Sequence, residues 1–514
     1  MLPQKKYQKY TLVLLVATAL VKIGLAPLLE LGNDEVYYWT YALRLSWNYF
    51  DHPPMIAWMI RTTTLNTWWV SELSLRLGSI LGAACSTWFI FKTGKLLANE
   101  RVGWFAALLY TASIYTGFIA GFFILPDSPQ MPLWTATLYI TAYLILKKSD
   151  ENNWGVWILL GALIGFAALC KVHGLFLWVG FGLFILIKRR TWLLKSQIYI
   201  SALITMIIIS PVFFWNWQND FITYRFHSNR IEGKGIHWDS FFRELGGEFA
   251  YQNPMVFVLL LASVIVFFKG KIRFRQQRIS IWIFCMSLPM LLVFWTLSLF
   301  NPTLPHWSGP AFIPLFFLAA VWLDQKGAPL FPFSIKVSLG LVVLVLFAGT
   351  MVVRYAPINF GSKLPENYGE YCPTLDLSGW SDMEKTFTAL VKKDQAEGLM
   401  QPDAVLLTNQ WFPGGHLEFY ISRPSGIPLI AVGSLQNLHQ FAWLNKERKP
   451  LFLGADAYVI VPSNMPISVQ DEYGKYFDTI EKYQQFNQVR NGGVVRYFFV
   501  YRLKHCKKLP APVL

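Results

Sequence analysis

Long apolar runs recur through the first two thirds of the chain, and no other feature limits the fold as tightly. Between Thr11 and Val353 they are about 15–22 residues long, against the roughly 20 a helix needs to cross a bilayer. They fall near 11–29, 71–91, 103–122, 129–146, 154–170, 174–187, 194–213, 254–268, 280–299, 307–323 and 333–353, which predicts a polytopic α-helical membrane protein of about 11 transmembrane helices. Charge supports the register. Lys5, Lys6 and Lys9 precede the first run, Lys92, Lys95 and Arg101 follow the second, and Lys147 and Lys148 follow the fourth. Lys188, Arg189 and Arg190 follow the sixth, and Lys269, Lys271, Arg273, Arg275 and Arg278 lie between the eighth and ninth. All fall on one side if the N-terminus is cytoplasmic, as the positive-inside rule requires. The basic and then apolar N-terminus reads as an uncleaved first helix.

Composition agrees. The chain is 54% hydrophobic and 15% charged, where a soluble protein carries nearer 25% charged residues. The net charge of +15 sits in short loops between apolar runs, which excludes a nucleic-acid-binding reading.

Near Arg354 the pattern changes. Spanning runs stop, and short β-rich stretches appear at 404–408, 457–462 and 494–501, beside a helical stretch near 381–398. The expected organisation is a transmembrane domain over 1–353 and a soluble α/β or α+β domain over 354–514, outside the membrane because the span count is odd. Cys372 and Cys506 lie near the two ends of that domain, where oxidation is allowed. They are predicted to pair, with two free thiols as the alternative. No repeat, phosphate-cradling glycine loop or zinc spacing is present.

The outer loops hold the polar chemistry. Gly32–Trp58 carries Asp34, Glu35, Arg44, Asp51 and His52 among interface-type aromatics. Asn33-Asp34 is able to cap a short interfacial helix, and Pro53-Pro54 to start the next one. Later loops add Asp127, Lys171 and His173, then Asp220, Arg225, His227, Arg230, Glu232, Lys234 and His237, and finally His306. Acids come early and cations late. A carboxylate that takes a hydroxyl proton, opposite cations that receive a departing phosphate, suits transfer at carbon from a phosphate-bearing donor. No nucleotide motif is present, so a lipid phosphate with its tail among membrane lipids is the donor expected.

Several stretches in order resemble the GT-C glycosyltransferases, in particular the bacterial branch of the protein O-mannosyltransferase superfamily with its lipid A aminoarabinose transferases. They are Asn33-Asp34-Glu35-Val36-Tyr37-Tyr38-Trp39, Tyr49-Phe50-Asp51-His52-Pro53-Pro54, Leu125-Pro126-Asp127-Ser128-Pro129 and Leu169-Cys170-Lys171. Weaker matches are Phe226-His227-Ser228-Asn229-Arg230 and Pro305-His306-Trp307-Ser308-Gly309-Pro310. The resemblance covers roughly residues 1–330. It implies inverting transfer from a polyprenyl (undecaprenyl) phosphate sugar to a lipid A, glycan or protein acceptor, at the outer face of a bacterial inner membrane with a periplasmic C-terminal domain. It implies Asp34 as general base with Glu35 beside it, and Asp127 as a second catalytic acid. Asp51 and His52 occupy a position that in relatives handles a divalent metal ion or the donor phosphate. The aminoarabinose branch has Glu-Lys there, so the choice between metal and phosphate stays open. His52, Lys171, Arg225, Arg230 and His306 are the expected phosphate contacts.

Plain structural alternatives stand beside these roles. Asp34-Glu35 would cap a helix, Asp127 would start one, Lys171 would snorkel to the interface, and Arg225 and Arg230 would be surface charge. His173 and His237 read as structural. Two other functions fit many spans and outer cations: a flippase for a lipid-linked sugar, and an oligosaccharide ligase with a diphosphate-linked donor.

Overall fold

The computed structural model describes residues 5–147, 153–228 and 235–514. It packs as two units. The first comprises Met1–Gly24, Ser46–Thr63 and Leu73–Leu346; the second comprises Leu25–Leu45, Thr64–Glu72 and Phe347–Leu514. This differs from the division expected at 353/354, because two early segments pack with the C-terminal residues.

In the first unit a helix underlies every predicted apolar run. By length and composition, five helices among the described residues are able to cross a membrane: Lys6–Leu28, Glu72–Leu97, Ser196–Gln218, Gln277–Ser298 and Phe333–Tyr355. Two bent helix pairs raise the number to seven. Trp154–Cys170, Val172–Lys188 and Gly309–Gln325 are apolar but shorter. Three of the eleven expected runs are thus helices of under 18 residues and two are bent, so length and composition alone mark five to seven spans among the described residues. The stretch 214–253, expected as a loop, instead forms the helices Ile222–Ser228 and Trp238–Tyr251 after the Ser196–Gln218 helix.

The breaks are satisfied internally. The helices Glu100–Ala112 and Tyr115–Phe122 meet at 76°, and Trp238–Tyr251 and Pro254–Phe268 meet at 104°. Each break frees backbone groups that hydrocarbon cannot solvate. Asn253, in a left-handed conformation at φ 70°, serves both. Its Nδ2 donates to the Ala112 and Ser338 carbonyls at 2.9 Å each, and its Oδ1 accepts from the Met255 N–H at 3.2 Å. Elsewhere small residues let helices approach: a Cβ on Gly161 would lie 2.2 Å from the Ser201 carbonyl oxygen.

The second unit is built on a six-stranded mixed sheet. Its strands are β1 (Val405–Thr408), β2 (Leu429–Ala431), β3 (Ala457–Pro462), β4 (Phe477–Ile480), β5 (Gln484–Arg490) and β6 (Gly493–Cys506). The order is β2-β1-β3-β6-β4, with β5 also on β6. β1 runs parallel to β2 and β3, while β6 runs antiparallel to β3, β4 and β5. Asn491-Gly492, both at positive φ, turn β5 into β6 as a hairpin. All three β-rich stretches noted in the sequence are strands, and the stretch near 381–398 is the helix Trp380–Ala396.

The expected disulfide is absent: Cys372 and Cys506 are both free. Cys372 packs on Val495 near the start of β6, and Cys506 ends that strand. Eleven residues of strand hold them about 35 Å apart, against the 4.4–6.8 Å that a disulfide spans between Cα atoms.

The segment Leu25–Leu45 is stitched into this unit by side chains. Glu30 accepts the Trp380 N–H at 2.8 Å and the Ser381 N–H at 3.0 Å, capping the Trp380–Ala396 helix. Tyr420 Oη accepts the Leu31 N–H at 2.7 Å. Replacing Glu30 with Ala removes an acceptor for two orphan donors and is expected to cost about 0.5–2 kcal/mol. A lowered melting temperature of the detergent-solubilised protein, with a smaller drop for Glu30→Gln, checks this.

Candidate active site

In the first unit the sequence Leu125-Pro-Asp-Ser-Pro makes a tight turn into the helix Asp127–Leu146. Ser128 holds it: its Oγ donates to the Phe123 carbonyl at 2.7 Å and accepts the Leu125 N–H at 3.2 Å. Asp127 is the first residue of that helix and is 1% exposed. Three residues on, Gln130 shares its face. Gln130 Nε2 donates to the Ala167 and Lys171 carbonyls at 3.0 and 2.9 Å, so it ties down the end of the Trp154–Cys170 helix. That contact delivers Lys171, extended at the helix end, to Asp127.

Lys171 is 5% exposed. Its Nζ donates to Asp127 Oδ2 at 3.1 Å and Oδ1 at 3.3 Å. Tyr115 Oη donates to Asp127 Oδ1 at 2.7 Å. Tyr115 reaches this point because the 76° break lies just before it, and because Gly309 leaves room. A Cβ at Gly309 would stand 2.5 Å from the Tyr115 ring. A bare carboxylate or ammonium would be costly here, and each answers the other.

Two histidines share this electrostatic neighbourhood. His52 lies in the turn Tyr49-Phe-Asp-His, where the Tyr49 N–H donates to the His52 carbonyl at 3.1 Å. Asn48 and Thr223 hold the turn: Asn48 Nδ2 donates to the Tyr49 carbonyl and to Thr223 Oγ1, both at 2.9 Å. His227 Nε2 lies 2.8 Å from the Asp51 carbonyl oxygen, and its ring is 6.1 Å from that of His52. Burial pushes His52 down to about 4; His227 and Lys171 push the same way, and Asp51 and Asp127 oppose them. His306 stacks on Tyr251 and is likewise driven to about 4 by burial, with Lys171 adding and Asp127 opposing. Both imidazoles are therefore neutral near pH 7.

The His306 loop is clamped from below. Ser308 Oγ donates to Glu248 Oε1 at 2.6 Å, Thr303 Oγ1 to Glu244 Oε2 at 2.8 Å, and Trp295 Nε1 to Glu248 Oε2 at 3.0 Å. Neither glutamate stood out in the sequence. Tyr115 was also missed, because it sits in an apolar run with no charged neighbour to mark it. His173, read as structural, lies two residues from Lys171 with its ring 6.3 Å from Trp307. Its closeness to Lys171 was the available signal.

Arg225 is exposed, on the opposite side of its short helix from Thr223, and forms no ion pair among the described residues. Arg230 lies outside the described residues. Asp34 and Glu35 belong to the second unit, in the first turn of the helix Asn33–Leu43. Glu35 is buried and its Oε2 accepts the Gly32 N–H at 2.9 Å, so the helix is capped by Glu35 rather than by Asn33 or Asp34. Asp34 is exposed. Among the described residues no group of three or more His, Cys, Asp or Glu is placed to hold a metal ion.

A family model described as dolichyl-phosphate-mannose-protein mannosyltransferase matches residues 51–215. The chain is 24% identical over 412 residues to the lipid A galacturonosyltransferase RgtD of Rhizobium johnstonii, covering 77% of this chain and 80% of that one. Its fold is similar to that of ArnT from Cupriavidus metallidurans in the apo state, at a TM-score of 0.56 and 15% identity over 96% of this chain and 97% of that one. The same protein bound to undecaprenyl phosphate superimposes at a TM-score of 0.57, with the same identity and coverage. The chain thus has an ArnT-like fold with several apolar helices, and the family model and the relative it matches are both described as glycosyltransferases. The Rhizobium relative is named for lipid A, and the second ArnT structure holds undecaprenyl phosphate.

Two outcomes are expected from this geometry. Breaking the ion pair with Asp127→Ala leaves a buried ammonium and costs roughly 3–5 kcal/mol, while the double change Asp127→Leu with Lys171→Met recovers most of it. Thermal unfolding of the single and double variants measures the difference. For pH, the histidines have a depressed folded pKa of about 4 against 6.5 unfolded, so the unfolded state binds more protons between those values. Their contribution is complete above pH 6.5 and is lost as pH falls through about 4. The melting temperature should fall across that window, and His52→Gln should flatten the fall.

Proposed function

We propose that this protein transfers a sugar from undecaprenyl phosphate to a hydroxyl of a lipid A acceptor, at the periplasmic face of the inner membrane. The observation that carries the reading is the buried Asp127–Lys171 pair flanked by neutral His52 and His306. Lys171 spends two contacts on Asp127, and an ammonium has three N–H donors. One is left for an anion, and the neutral His306 imidazole has one N–H more. The family of the matching model and the acceptor named for the Rhizobium relative support the donor and acceptor classes.

The step is a single displacement. The acceptor hydroxyl gives its proton to the Asp34 carboxylate as its oxygen bonds to the anomeric carbon. The bond from that carbon to the phosphate oxygen breaks, with inversion. The polyprenyl phosphate leaves carrying one more negative charge than it had in the phosphodiester. Lys171 and the His306 N–H meet that added charge, which stabilises the transition state more than the bound donor. Asp127 orients Lys171.

Asp34→Asn is expected to lower transfer by at least about 10³-fold, in keeping with the loss of a general base. Donor binding and the melting temperature should stay near wild type. Mass spectrometry of lipid A from cells expressing each form reads the sugar increment; wild-type levels in Asp34→Asn cells would remove Asp34 from the mechanism. Movement of donor across proteoliposomes without any transfer would replace the enzyme reading with the flippase.

A further inference from the structure

The second unit holds a cavity of about 520 Å³ at the carboxyl ends of the parallel strands β1 and β3. That size is within the roughly 300–1,000 Å³ of small-molecule sites, and ligands of open α/β sheets bind at this end of the strands. Its polar lining includes Asn33, Glu370, Asp376, Gln410 and Asn464, and among its lining residues there is no Lys, Arg or His. Arg496 stands behind this wall, its Nη1 donating to Asn464 Oδ1 at 3.4 Å and its charge acting on Asp376, so the cavity surface itself presents carboxylates and amides, which favour hydroxyls over phosphate or carboxylate groups. Tyr371, 90% exposed, places an aromatic ring at the rim. Aromatic faces and carboxylates together are what a pyranose needs, because it presents apolar C–H faces and hydroxyl edges.

A second observation points to a ligand. Tyr473 lines the cavity and is 0% exposed, yet its hydroxyl has no hydrogen-bond partner among the described residues. An unmet buried hydroxyl costs about 1–3 kcal/mol, and a polar occupant would relieve it.

The cavity also bears on the helix that carries Asp34. Asn33 Nδ2 donates to Asp376 Oδ2 at 3.0 Å, and Asn33 Oδ1 lies 2.8 Å from His416 Nε2. The His416 ring is stacked on Trp380, centroids 4.4 Å apart, which fixes it. So a wall residue of the cavity is locked in place one residue before Asp34. We propose that this cavity binds a carbohydrate free of anionic groups, as the acceptor-side glycan. Its assignment to the acceptor rests on the function proposed above; carbohydrate binding itself does not.

Saturation-transfer NMR on the full-length protein in detergent, without donor, tests this with methyl β-glucoside, methyl β-galactoside, maltose, glucuronate and glucose 6-phosphate as probes. Saturation should reach at least one neutral saccharide and neither anionic one. Tyr473→Phe removes only the unmet hydroxyl, so it should keep the melting temperature and weaken binding about five-fold, the effect of one hydrogen bond. Ile467→Trp, which fills the cavity from its lining, should abolish the signal. No transfer to any neutral saccharide, stronger transfer to the anionic probes, or signals unchanged in both variants would overturn the site. Saccharide binding in a protein that adds no sugar to lipid A would leave this cavity standing and reject the proposed function. The reverse result would reject only the cavity.

Discussion

Burying a carboxylate and an ammonium is tolerable only when each meets the other, and the first unit is arranged around that requirement. Asp127 and Lys171 come from helices 44 residues apart in sequence and are both nearly inaccessible. Gln130 fixes the carbonyls beside Lys171, and Tyr115 completes the shell of Asp127. Such a pair contributes little net stability compared with apolar residues of the same size. Its persistence in a membrane protein is better explained by the charge it keeps poised than by what it adds to folding.

The same economy governs the broken helices. A straight helix satisfies its own backbone, so a break in an apolar environment requires a side chain to stand in. Asn253 does this for two helices at once. The result is that Tyr115 and the His306 loop reach positions that unbroken helices would not supply. Neutral histidines fit this setting. Burial denies them charge until an anion arrives, and an arriving phosphate would raise their affinity for a proton.

In the second unit buried aromatic packing, as of Tyr37 on Trp411 and Trp39 on Phe419, acts together with hydrogen bonds to recruit an early segment. Glu30, Leu31 and Asn33 meet Trp380, Ser381, Tyr420 and Asp376 through hydrogen bonds. The residue next to Asn33 is the proposed base, so the rigidity of that segment bears on catalysis. A general base has to lie within hydrogen-bond reach, about 2.6–3.2 Å, of the group whose proton it takes.

Much of the architecture was legible from one sequence. Periodicity and run length located helices beneath all the apolar stretches, and the β-rich stretches became β1, β3 and β6. Charge-bearing residues in apolar surroundings singled out Asp127, Lys171 and His52, because such residues are expensive unless used. What local pattern did not hold was partnership. Cys372 and Cys506 looked like ends that meet, and one long strand keeps them apart. Arg225 looked like a phosphate ligand, and its helix turns it outward. Tyr115 and Glu248 carried no local sign of their roles. Composition and periodicity report the free energy of placing each residue in lipid or water, which is local and additive along the chain. Which acid meets which base depends on where helices break and how closely glycines let them approach, and only packing among distant segments decides that.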